Sequence, residues 1–229
     1  MSRLGSPRLH LRETTSTNDR ARALAIADAP HGTLVTAAAQ TAGRGRQGRR
    51  WSAPPGRALL MSLVLRDPRR LLPLAAAVAV ADATGPAARI KWPNDVLIDG
   101  RKVAGILAEG RPQEGWAVVG VGLNVAVRAG DLPPELRDTA GTLGLEPHDV
   151  DPVLARVLRA LERALALEDE PLIDAWRARD ALLGREIVWA AGRGRAAGID
   201  AGGRLVVELD DGGRAALEAG EVHLQPPAP

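Results

Sequence analysis

An Asp99-Gly100 pair stands between two apolar runs, residues 96–98 and 102–107. Aspartate followed by glycine suits the positive φ angles of a tight hairpin turn, so the two runs are predicted as paired antiparallel strands. That pairing constrains the rest of the chain, because it folds the segment after Lys91 back beside Lys102. These are the only two lysines; every other basic residue that is always charged is arginine. A compact ammonium on a flexible stem does what a planar guanidinium cannot imitate. Two lysines kept in so arginine-biased a chain, with Asn94 (one of three asparagines) between them, mark a candidate site.

Several function classes are excluded by what the chain lacks. Charge is nearly balanced, 30 basic against 28 acidic residues, which argues against bulk nucleic-acid binding. No cysteine is present, so there is no disulfide framework, thiolate metal site or cysteine nucleophile. The four histidines, His10, His31, His148 and His223, have no metal-like spacing. Residues 1–13 lack the apolar core of a signal peptide, and the most apolar run, 71–81, is broken by Pro73 and too short to span a bilayer. A cytoplasmic protein without membrane contact is expected.

In chain order, residues 9–12 alternate as a short strand. Ser16, with Asp19 three residues later, reads as a helix start leading into an alanine-rich run that ends at Pro30. The polar groups of Ser16, Thr17 and Asn18 either cap that helix or hold a polar ligand head. Residues 33–39 form a strand closed by Gln40. Segment 41–51 then carries Gly43, Arg44, Gly45, Arg46, Gly48, Arg49 and Arg50 with no apolar anchor before Trp51. It is expected to be a mobile loop, ordered only when something anionic fills it. Gly-Arg-Gly-Arg recurs at 192–195, where no other site feature accompanies it.

Residues 58–66 read as a strand, 69–84 as an apolar helix, and 89–92 as a strand entering the Pro93-Asn94-Asp95 turn. A further strand, 116–121, runs into Gly120-Val121-Gly122-Leu123-Asn124, whose glycines permit close approach of a ligand or simply of packing neighbours. Residues 131–149 form a long loop, and helices follow at 151–167 and 171–183. The pattern then changes to short period-two strands at 186–190, 195–199, 204–209, 214–217 and 221–224, which suggests a small barrel as a second domain. The predicted division is 1–183 and 184–229.

Helix-start polar groups, an arginine–glycine loop, two lysines and a glycine-rich strand end favour a ligand rich in negative charge. No Walker A pattern, no Gly-x-Gly-x-x-Gly turn and no Gly-x-Ser-x-Gly elbow is present. Chemistry that needs cations more than a covalent nucleophile remains, and joining a carboxylate to the α-phosphate of ATP fits it.

Taken together, Ser16-Thr17-Asn18, Gln40, the loop from Gly43 to Trp51, Lys91-Trp92-Pro93-Asn94-Asp95, Lys102-Val103-Ala104-Gly105-Ile106-Leu107 and Gly120 to Asn124 resemble the biotin–protein ligases, in the family's order. The resemblance implies an α+β fold: a mixed β-sheet with packed helices, related to class II aminoacyl-tRNA synthetases, followed by a small SH3-like β-barrel. It implies ATP-dependent formation of biotinyl-5′-AMP and transfer of biotin to a lysine of a biotin carboxyl carrier protein. The motif Ser16-Thr17-Asn18 comes early, so the short, monofunctional type without operator DNA binding is expected.

By position, the resemblance makes Lys102, Arg46 and Asp95 catalytic. It places Ser16, Thr17, Asn18, Gln40, Arg44, Gly45, Arg46, Lys102 and Gly105 around biotin. Arg44, Arg46, Arg49, Trp51, Lys91 and Asn124 would serve ATP or the adenylate. For Asp95 the alternatives are a base for the incoming amine and a turn-capping carboxylate. Mg²⁺ would be held through the phosphates, with no metal-ligating side chain assigned. A homodimer is left open. The competing readings are a lipoate–protein ligase, which shares the fold, and a nucleic-acid-binding module built on the arginine loop and the barrel.

Overall fold

The computed structural model describes residues 4–218, 220 and 222–224. Seven strands make one mixed sheet: β1 (Arg8–Thr14), β2 (Leu34–Gln40), β3 (Ala58–Arg66), β4 (Arg89–Lys91), β5 (Asp95–Ile98), β6 (Arg101–Arg111) and β7 (Trp116–Asn124). Their order is β1-β2-β3-β7-β6-β5-β4. Only β1 and β2 run parallel, as a strand–helix–strand crossover through α1 (Thr17–Ile26) requires; the other neighbours are antiparallel.

One face of this sheet is covered over its central strands. Met61, Leu63 and Leu65 of β3 and Val119, Val121 and Leu123 of β7 pack against α2 (Leu72–Thr84) and α3 (Val150–Ala166). Helix α2 is apolar on nearly every side, with nine buried residues, because it lies between the sheet and its neighbouring helices. Helix α3 is amphipathic: Val153, Leu154, Val157, Leu161 and Ala164 recur at helical spacing and are buried. The other face is covered only in part. There Ala21 and Ala25 of α1 pack on Val35, Val64, Trp116 and Val118. Continuing along β7 on that face, the residues become Gly120, Gly122 and Asn124. The open half of the sheet is where side chains give out.

The expected hairpin forms, with β5 and β6 flanking Asp99-Gly100, both at positive φ (49° and 73°). Its register slips: Val96 faces Ala104 but Leu97 faces Lys102, so β6 carries one extra residue at a bulge. In a regular strand Lys102 and Gly105 would point to opposite faces. The bulge lets both face the open side while Val103, Ala104 and Ile106 stay in the core.

After α4 (Asp169–Arg177) come β8 (Glu186–Trp189), β9 (Gly192–Ile199), β10 (Leu205–Glu208), β11 (Arg214–Leu217) and β12 (His223–Leu224). They form a five-stranded antiparallel sheet in the order β11-β10-β9-β8-β12. Of the strand expected at 221–224, Glu221 lies outside the described residues. The small sheet does not stand apart, since Ile187, Ala196, Leu205 and Val207 share one core with α2 and Trp176. The second of the two late helices is shorter than expected. It stops at Arg177 because the backbone from 179 to 181 pairs with Ile90, Ile90 N–H donating to Arg179 O at 2.7 Å and Ala181 N–H to Ile90 O at 2.9 Å.

Candidate functional site

A cavity of about 510 Å³ lies over the open half of the large sheet. Every site residue named from the sequence lines it: Ser16, Thr17, Asn18, Gln40, Arg44, Gly45, Arg46, Arg49, Trp51, Lys91, Asp95, Lys102, Gly105 and Asn124. Lys102, eighty-odd residues from the start of α1, therefore shares one chamber with it.

At one end sits the helix start. Ser16 occupies the N-cap position, yet its side chain makes no capping hydrogen bond. The capping role that its position suggested is not the one it performs. Thr17 donates to Gln40 Oε1 from its backbone N–H at 2.7 Å and from its hydroxyl at 3.1 Å. With that oxygen engaged, Gln40 Nε2 is the donor on offer. Ser62 Oγ lies 2.6 Å from Asn18 Oδ1 and 2.8 Å from Thr17 Oγ1, its single proton serving one at a time. Asn18 Nδ2 donates to Glu109 Oε2 at 2.9 Å and to Leu107 O at 3.4 Å. Ser16, Thr17, Asn18 and Ser62 are all buried, and unpartnered polar groups at such depth would be costly. Gly120 is needed beneath them, since a Cβ there would strike the Asn18 amide.

At the other end are the lysine and its neighbours. Lys102 Nζ lies 2.7 Å from Asp95 Oδ1. The contact is an ion pair without hydrogen-bond alignment, as that oxygen has no aligned donor among the described residues. The same ammonium lies 5.8 Å from the centroid of the Trp51 ring, within cation–π range. Trp51 lies over two glycines: a Cβ on Gly122 would run into the indole, and one on Gly105 would meet the ring at 3.0 Å and Lys102 Nζ at 3.4 Å. The loop after β7 fixes the lysine's backbone, with Lys102 N–H donating to Thr139 O and Gly141 N–H to Lys102 O, each at 2.8 Å. That loop also receives Asn124 Nδ2 at Gly141 O, 2.8 Å away, which leaves Asn124 Oδ1 buried and without a partner among the described residues.

The backbone of segment 43–51, the expected mobile loop, folds back on itself. Gly45 N–H donates to Arg49 O at 2.7 Å, Trp51 N–H donates to Gly43 O at 2.9 Å, and Arg44 and Arg50 form an isolated antiparallel bridge. Gln47 takes a left-handed turn conformation (φ 53°) between them. Arg44 reaches across the cavity mouth to Asp19 at 2.7 Å and Glu109 at 2.6 Å. The Asp19 hydrogen bond raises the guanidinium pKa above its ordinary value, and Glu109 adds to the effect against a counteracting burial cost. Arg46 Nη1 donates to Asn94 Oδ1 at 3.3 Å, and Asn94 Nδ2 in turn donates to Ile106 O at 2.9 Å.

The sequence reading missed Glu109, Asp19 and Ser62 as site groups, and it read 131–149 only as a loop although Leu132, Leu136, Thr139 and Ala140 line the cavity. Leu224 of β12 also lines the chamber, so the small sheet contributes to it. No group of three His, Asp or Glu side chains able to hold a metal ion occurs among the described residues. The chamber can thus take a molecule with a polar, uncharged head and an anionic tail, and bring that tail to an ammonium beside further guanidinium groups.

Residues 11–125 match the model of the biotin/lipoate A/B protein ligase family. The chain is 40% identical to a biotin–[acetyl-CoA-carboxylase] ligase of Paracoccus denitrificans, an alignment covering 93% of this chain and 98% of the relative. It is 36% identical to the bifunctional ligase/repressor BirA of Bacillus subtilis, over 86% of this chain and 68% of that protein. Among solved structures, a biotin protein ligase from Aquifex aeolicus in complex with biotin and ATP superposes with a TM-score of 0.82 at 29% identity, covering 96% of this chain and 99% of that one.

Proposed function

The chain belongs to the biotin/lipoate A/B protein ligase family, and on that premise we propose that it is a biotin–protein ligase whose chamber activates biotin with ATP. The observation that carries the reading is the Lys102–Asp95 pair at one end of a chamber whose other end is the polar cluster of buried Thr17 and half-buried Gln40. Biotin's cyclic urea has both N–H donors and a carbonyl acceptor, which buried hydroxyls and an amide can satisfy. The dithiolane of lipoate offers no such group and would leave the Gln40 Nε2 donor unanswered.

In the first half-reaction the Lys102 ammonium draws together the biotin carboxylate and the α-phosphate, two anions that would otherwise repel. A carboxylate oxygen bonds to the α-phosphorus, the bond to the bridging oxygen breaks, and pyrophosphate leaves. Arg46, Arg49 and Lys91 offset the charge on the phosphates, while Trp51 and Asn124 serve the nucleotide. Mg²⁺ enters with ATP as part of the substrate, since the donor set here is basic and amide rather than a carboxylate cluster. In the second half-reaction the ε-amine of a lysine on a biotin carboxyl carrier protein attacks the acyl carbon. The acyl C–O bond breaks, AMP leaves, and Asp95 takes the proton that the amine must lose. The segment over the chamber keeps water from the mixed anhydride in between. We also place the domain division at Gly184, in the stretch between the end of α4 at Arg177 and the start of β8 at Glu186.

The test is release of pyrophosphate from ATP with either biotin or lipoate present. Biotin alone should support release, followed by label transfer to the carrier domain of an acetyl-CoA carboxylase. Release with lipoate and not with biotin would overturn the assignment.

A further inference from the structure

Glu109 belongs to none of the groups that would touch biotin or ATP, yet it joins three elements that are distant in sequence. One carboxylate oxygen, Oε1, accepts from Arg44 Nη2 at 2.6 Å; the other, Oε2, accepts from Asn18 Nδ2 at 2.9 Å. Asn18 is itself held on several sides. Its Nδ2 also reaches Leu107 O, its Oδ1 lies 2.6 Å from Ser62 Oγ, and it presses on Gly120. The carboxylate therefore fastens a movable group, the arginine of segment 43–51, to a fixed post at the start of α1. Asp19, in the first turn of that helix, takes the second amino group of Arg44 at 2.7 Å. Two acids around one guanidinium also mean that Arg44 adds no net positive field for phosphates. Its part in the chamber is mechanical.

We propose that Glu109 is a positioning residue that pins segment 43–51 over the chamber through Arg44, so that the acyl-adenylate is held until the acceptor lysine arrives. The proposal rests on the ligase reading above for what is held, but not for the pin itself. Both carboxylate oxygens must accept. A glutamine in this place has one acceptor oxygen and one donor nitrogen, so in either amide orientation it must set a donor against Arg44 or against Asn18. The isosteric change thus breaks one link whichever way it turns, while leaving volume and backbone untouched.

The experiment compares wild type, Glu109→Gln and Asp19→Asn in two assays. Segment 43–51 holds four arginines, so trypsin reads its opening directly. Cutting there in ligand-free Glu109→Gln should be about fivefold faster than in wild type, the scale of one lost partly exposed charge pair. Asp19→Asn should show a smaller rise, since it leaves the Asn18 link whole. In the second assay the pyrophosphate released per carrier lysine biotinylated, near one in wild type, should rise several-fold in Glu109→Gln as the intermediate escapes and hydrolyses. A purely structural role would lower both rates and leave that ratio alone. Unchanged cutting and an unchanged ratio in Glu109→Gln would overturn the proposal. Should wild type release no pyrophosphate with biotin, the ligase reading fails, and the trypsin comparison alone decides the pin.

Discussion

Gly-Arg-Gly-Arg occurs twice in this chain, at 43–46 and at 192–195, and the two copies fold to opposite ends. The first leaves β2 and arches over the chamber, with Arg44 crossing to Asp19 and Glu109 and Arg46 reaching Asn94. The second lies in β9, paired residue by residue with β8, and its arginines make exposed ion pairs: Arg193 with Asp210 and Arg195 with Glu186, each at 3.1 Å. Four identical letters thus form a flap in one place and a strand in the other. What differs is the neighbouring strand. Strand β8 gives every residue of the second copy a partner and β10 adds one for Arg195, whereas the first copy bridges to residues 49–51 of its own segment. Composition says that a segment is basic and flexible; the partners available decide whether it becomes a site.

Substitutions made in matched pairs sharpen or break that contrast. The largest effect is expected from Arg46→Ala, which should lower kcat/KM for biotin adenylation by about a hundredfold, the usual loss for one charge-stabilising donor. Next come the glycines. A Cβ on Gly43 would strike the Trp51 carbonyl and lie 2.8 Å from Gln40 Nε2, so Gly43→Ala should weaken biotin binding about tenfold, as seen by calorimetry. A Cβ on Gly194 would collide with the Glu208 carbonyl in β10, so Gly194→Ala should cost about 1–3 kcal/mol in denaturant unfolding while the biotin affinity of the folded protein stays as in wild type. Smallest of all, Arg195→Ala removes one exposed ion pair and should change stability by less than about 1 kcal/mol, with activity unaltered. If Arg195→Ala reduced activity as much as Arg46→Ala, the distinction between the copies would fail.

The strands and the chamber's lining were legible in the sequence for separate reasons. Lys102 stood out through scarcity, since an arginine-biased chain keeps a lysine only where an ammonium is needed, and it does line the chamber. The hairpin on Asp99-Gly100 followed from turn chemistry. Other features depend on distant pairings that no local pattern encodes. The bulge that turns Lys102 and Gly105 to one face is a matter of register between β5 and β6. Glu109 is one acid among 28 acidic residues, and only the fold brings it to Asn18 and Arg44. The hold of Thr139 and Gly141 on Lys102 joins a strand to a loop nearly forty residues away, which the sequence shows only as a stretch rich in glycine, charge and proline. Helix α4 ends early because β4 claims the following backbone, a tertiary preference that outweighs the apolar spacing.

Exchange of labelled pyrophosphate into ATP, measured for wild type and Lys102→Ala with biotin present or withheld, tests the central claim most directly. The account predicts exchange that requires biotin and that falls by at least about a hundredfold in the variant, with the melting temperature preserved. Exchange without biotin, or a variant that exchanges as fast as wild type, would contradict it.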